Sequence, residues 1–117
     1  VDIKSLVLLD SVMDDYEGFP ELYEIFSKAF PEIGYRAMPH RLLDALSQLR
    51  DAGLVELYGV DADGNLARYG ASVEPDQLAG FYYYRSEAGK QIWEAKEVHA
   101  RLDEFYAKGK SADFEES

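Results

Sequence analysis

Apolar residues recur at helical spacing through the first half of the chain and change to strand-like alternation near its middle. Ile3, Leu6, Val7, Val12, Met13 and Tyr16 predict a first helix over about Ile3–Tyr16, with Leu8 and Leu9 widening the stripe. A stripe that wide implies contact with more than one neighbour. Leu22, Ile25, Phe26, Ala29 and Phe30 predict a second helix over Pro20–Phe30, with Pro20 in its first turn and Pro31 ending it. Leu42, Leu43, Leu46 and Leu49 predict a third over Pro39–Ala52, stopped at Gly53 in left-handed geometry, with Leu54 folding back as its apolar partner.

Beyond that stop, Val55 and Leu57 alternate with Glu56 and Tyr58, which predicts a strand over Leu54–Val60. Asp61-Ala62-Asp63-Gly64-Asn65 is turn chemistry, and a weaker strand over Leu66–Tyr69 is placed to pair back. Gly70–Gly80 reads as loop. Phe81-Tyr82-Tyr83-Tyr84 reads as a second strong strand, since aromatic side chains suit a half-buried pleated surface. Ser86 is placed to cap a long helix reaching about Lys108, and 109–117 forms a flexible acidic tail. The expected class is α+β and mostly helical. Residues 1–85 form one domain, and residues 86–108 form a helix that packs on it or pairs two copies.

Charge alters this picture more than length does. The 117-residue chain has 23 acidic and 12 basic side chains, net −11. Residues 1–33 carry −6, 34–58 carry 0, 59–80 carry −3 and 81–117 carry −2. Such a chain repels nucleic acid and anionic membranes overall, so a DNA contact needs a local basic patch. The neutral stretch 34–58 is where Arg36, His40, Arg41 and Arg50 lie. There is no cysteine, and the two histidines, His40 and His99, stand 59 positions apart, so no thiolate or histidine metal motif is present. No apolar run is long enough for a membrane span or signal core, and a cytoplasmic protein without cofactor is expected.

Two chemical readings of short segments give way to plainer ones. A calcium loop starting at Asp61 needs glycine at its sixth place and glutamate at its twelfth, and finds Leu66 and Ser72, so a hairpin turn is the better reading. Asp14, Asp15 and Glu17, like Glu115 and Glu116, are charge runs of the kind that cover solvated surface, and no nucleophile–base set accompanies them. Tyr82, Tyr83 and Tyr84 have the residue type to stack bases, but alternation on a half-buried sheet also accounts for them. No enzyme is expected.

In the last helix Ala88, Ile92, Ala95, His99, Leu102 and Tyr106 follow spacings of 4, 3, 4, 3 and 4, a heptad seam flanked by Trp93, Val98 and Phe105. Two stripes on one helix point to a homodimer through Ile92, Ala95, His99, Leu102 and Tyr106, or to a helix wrapped by one small core.

Leu42-Leu43-Asp44-Ala45-Leu46-Ser47-Gln48-Leu49-Arg50-Asp51-Ala52-Gly53-Leu54-Val55 and Tyr83-Tyr84-Arg85-Ser86-Glu87-Ala88-Gly89, in this order of elements, resemble a winged helix-turn-helix domain of the PadR-type and MarR-type regulators. The match covers roughly residues 3–95 and departs from the family pattern at Arg85, where leucine is usual. The resemblance implies a dimeric transcription regulator bound to double-stranded DNA. Pro39–Ala52 would be the groove-reading helix and 59–80 the wing. Arg41 would then face guanine and Gln48 adenine, with His40 beside them and Arg36 and Arg68 on phosphates. The same residues equally describe a solvated helix face flanked by Asp44 and Asp51. The alternative is an acidic interaction module that binds a basic protein partner.

Overall fold

The computed structural model describes residues 1–70 and 73–116, with side chains for all of these except Pro75 and residues 109–116. It is an α+β chain, mostly helical, with one small antiparallel sheet.

Helix α1 spans Ile3–Ser11, and Asp2 caps it by accepting from the Ser5 N–H at 2.9 Å. Leu6, Val7, Leu8 and Leu9 are all buried, so the helix is enclosed on every side, as its wide stripe implies. It ends earlier than the expected Tyr16. Val12 and Met13 stay buried, but their carbonyls accept from the Arg85 N–H and the Arg85 Nε, both at 3.1 Å. The chain then enters strand β1, Glu17–Gly18, too short to show any periodicity in the sequence.

Helix α2 spans Phe19–Ala29 and α3 spans Met38–Asp51, each within one residue of expectation. Leu22, Phe26, Met38, Leu42, Leu46 and Leu49 turn inward to meet α1. Gly53 at φ +73° closes α3, with the Leu54 N–H reaching back to the Leu49 carbonyl at 2.9 Å.

Strands β2 (Val55–Val60), β3 (Leu66–Tyr69) and β4 (Tyr82–Arg85) complete a sheet ordered β1-β4-β2-β3. Val55 faces Arg85 and Leu57 faces Tyr83, the pairing expected of 54–60 with 81–85. In the β2–β3 turn Asp61 Oδ1 accepts the N–H groups of Asp63 and Asn65, both at 2.9 Å, which suits a hairpin rather than a cation loop. Among the described residues no three potential ligands converge to hold a metal.

The segment read as plain loop contains a 3-10 helix, Pro75–Gly80, which buries Leu78; its carbonyl accepts from the Tyr83 hydroxyl at 2.5 Å. Burial pushes the Tyr83 phenol well above its ordinary range.

The expected single helix over 86–108 is two helices. Helix α4 spans Glu87–Glu94 and α5 spans Lys96–Glu116, with Ala95 extended at φ −64°, ψ 137° between them. The break has a tertiary cause. Asp10 on α1 takes the Trp93 Nε1–H on Oδ1 and the Tyr106 hydroxyl on Oδ2, both at 2.8 Å, tying α4 and α5 to one carboxylate. Val98 and Leu102 enter the core, and Phe105 lies 5.2 Å from Phe30, centroid to centroid. The backbone of α5 continues past Lys108, while the side chains of the expected acidic tail at 109–117 fall outside the described residues. Among the described residues no helix is long and apolar enough to cross a membrane.

Ser5 Oγ is buried without a hydrogen-bond partner among the described residues. An unpaired buried hydroxyl opposes folding, so Ser5→Ala is expected to raise stability by about 1 kcal/mol in urea unfolding. A loss of stability would mean that the hydroxyl is bonded in solution.

Candidate nucleic-acid interface

The residues expected to contact DNA fall into two groups. The Gly34 carbonyl accepts the N–H groups of Ala37 and Met38, both at 3.0 Å, turning the chain directly into α3. Ala37, at the cap position, has no side-chain cap hydrogen bond, but the Met38 N–H is taken by Gly34 and Pro39 has none, so the first turn of α3 offers the His40 N–H and the positive end of its dipole. Arg36, His40 and Arg41 are exposed around this end. Asp44 and Gln48 follow on the same flank as Arg41, one and two turns along, and Met38, Leu42 and Leu46 hold the opposite side in the core. Arg36 lies 5.8 Å from the Tyr35 ring centroid and donates from Nε to the Tyr35 hydroxyl at 3.2 Å. Tyr35 is 76% exposed and belongs to no periodic stripe, so no sequence pattern singles it out.

Arg68 is apart from this group. It pairs with Glu56 at 3.6 Å, and its register opposite Tyr58 puts it on the face of the sheet away from buried Leu57 and Tyr83. Arg50 is tied down as well, to Asp51 at 3.1 Å and to the Val73 carbonyl at 2.6 Å. It holds Val73 against α3 and is not a free cation.

The outer sheet face carries an unexpected cluster. Tyr16 stacks on Tyr84 with centroids 4.7 Å apart and meets Tyr58 edge-on at 4.8 Å. The Tyr58 hydroxyl donates to Glu56 Oε2 at 2.8 Å. That bond to the carboxylate, with burial and the Glu56 charge, pushes the Tyr58 phenol up to about 12. Glu17 is raised above the usual carboxylate range by burial and by the nearby charges of Asp15 and Glu21.

The residues expected to pair two copies do not form one seam. Ile92 stays partly exposed on α4 and Ala95 is the break itself. His99 packs edge-on against Trp93 at 4.5 Å, Leu102 is 3% exposed in the core, and Tyr106 is bonded to Asp10. Once α4 and α5 diverge at Ala95, the heptad spacing no longer describes a single face.

The chain matches no protein-family model, no curated protein and no solved structure.

Proposed function

We propose that this chain is a winged-helix protein that binds double-stranded DNA through the N-terminal end of α3, as a transcription regulator without catalysis. The observation that carries the reading is the unneutralised cation pair on that end. Arg36 and Arg41 have no carboxylate within 4.0 Å among the described residues, although acids outnumber bases almost two to one. The element order gives further support. Three helices interleaved with β1 precede β2, β3 and β4, and β4 returns between β1 and β2. In that arrangement α3 is the groove helix and the β2–β3 hairpin is the wing.

The test is fluorescence anisotropy with a mixed-sequence duplex at low and moderate salt. Affinity should fall steeply with salt, because each phosphate contact releases counterions. Arg41→Ala should cost about 1–3 kcal/mol and relax preference at one base pair if the contact is bidentate to guanine. Asp44→Asn should tighten non-specific binding, and Arg68→Ala should leave it unchanged, since Arg68 is held by Glu56 on the other side of the sheet. Absence of duplex binding at low salt would overturn the reading.

A second reading, an acidic module that binds a basic protein, is favoured by the hairpin. Its turn presents Asp61 and Asp63, and its one arginine is neutralised by Glu56. A wing of that charge repels phosphate and attracts a basic surface.

A further inference from the structure

Duplex binding by α3 leaves the outer face of the sheet unused. Tyr58, Tyr82 and Tyr84 lie on it by register, opposite in direction to buried Leu57 and Tyr83, and Tyr16 packs on Tyr58 and Tyr84. Tyr16 and Tyr82 remain 39% and 38% exposed. Carboxylates border this aromatic surface. Glu56 lies within it, bonded to Tyr58. At the β1 edge, a β-carbon added to Gly18 would lie 2.7 Å from Glu21 Oε2 and 3.2 Å from the Tyr82 ring, so the Glu21 carboxylate and the ring close on the same point. The charges of Asp15 and Glu21 both act on Glu17, which lies opposite Tyr83 and so turns to the inner face. Two guanidinium groups already sit against this surface: Arg68 pairs with Glu56 at 3.6 Å, and the Arg85 group lies 4.9 Å from the Tyr84 ring centroid.

We propose that this tyrosine face, bordered by Asp15 next to Tyr16 and by Glu21 next to Tyr82, docks an arginine-bearing segment of a basic protein. This is the surface on which the second reading would operate, and its use is independent of duplex binding by α3. A guanidinium stacks flat on a tyrosine ring while its N–H fork reaches a neighbouring carboxylate. An ammonium does the second without the planar stack. Nucleic acid bases would also stack on the rings, but their phosphates would meet the carboxylate rim, and Arg68 and Arg85 are already engaged within the protein. A second copy would set one acidic rim against another.

The full chain is titrated at low ionic strength with octa-arginine, octa-lysine and a single-stranded oligothymidylate, and binding is followed through tyrosine fluorescence. Octa-arginine is expected to bind about fivefold tighter than octa-lysine, the size of one exposed guanidinium–aromatic contact. Tyr82→Ala should remove that preference, Tyr82→Phe should keep it, and Glu21→Gln should weaken both peptides. Equal binding of the two peptides, or indifference to Tyr82→Ala, would overturn this surface while leaving an acidic module that captures cations elsewhere. Binding of neither peptide would overturn the module as well. Oligothymidylate quenching the tyrosines in preference to octa-arginine would make the face a base-stacking platform and overturn the assignment.

Discussion

Gly89→Ala is expected to destabilise the fold by about 3 kcal/mol, the upper end of what overpacking costs. The direction is informative, because alanine normally stabilises a helix by about 1 kcal/mol relative to glycine. Gly89 is in the first turn of α4, where the Ser86 hydroxyl accepts its N–H at 3.0 Å. A β-carbon there would collide with the Leu54 carbonyl oxygen and lie 3.0 Å from its carbon and 3.1 Å from Leu9 Cδ1. The Leu54 carbonyl has no freedom to retreat, since it accepts the Ser86 N–H at 3.0 Å and adjoins Gly53, whose carbonyl takes the Ser86 hydroxyl. One residue thus joins the end of α3, the start of β2 and the start of α4. Urea unfolding of Gly89→Ala beside Gly34→Ala, a loop glycine with open space around it, distinguishes the collision from the effect of an added methyl where nothing is hit. A gain in stability at Gly89 would mean that α4 stands further from β2 than described.

What the sequence discloses follows from how local each cause is. Helices α2 and α3 are legible because one apolar stripe faces one core, and the Gly53 stop because a single backbone conformation needs glycine there. The pairing of β2 with β4 is legible from alternation around Leu57 and Tyr83. Strand β1 is not, because two residues carry no period. The division at Ala95 is hidden for a different reason. Heptad spacing runs unbroken through it, and what bends the chain is a carboxylate more than eighty positions away, Asp10, bonded to Trp93. The candidate site divides in the same way. Arg36, His40 and Arg41 are readable as the polar end of an amphipathic helix. The pairing of Arg68 with Glu56 depends on the register between β2 and β3, which no single-strand pattern contains. Tyr16 likewise joins Tyr58 and Tyr84 only after the chain has left α1 early.

Leu102→Asp is expected to unfold the chain. Leu102 is 3% exposed and belongs to the same core as Leu6, Phe26 and Leu46, so the substitution removes an apolar side chain and leaves a carboxylate without a partner. Loss of the leucine alone costs about 2–5 kcal/mol, and desolvating the acid adds to it. The sum reaches the whole stability of an ordinary domain, about 5–15 kcal/mol. A heptad seam makes the opposite prediction. If α4 and α5 were one helix and Leu102 lay at its outer face, Leu102→Asp would split a dimer into folded monomers. Ile92→Asp provides the comparison, since Ile92 is 36% exposed on α4 and its replacement should leave the fold intact. Circular dichroism and sedimentation on the two variants decide between the arrangements. Unfolded Leu102→Asp with folded Ile92→Asp places α5 in the protein's own core, and any self-association must then use another surface. A native-like monomer from Leu102→Asp, derived from a dimeric parent, would mean that α5 swings out about Ala95 to meet a second copy.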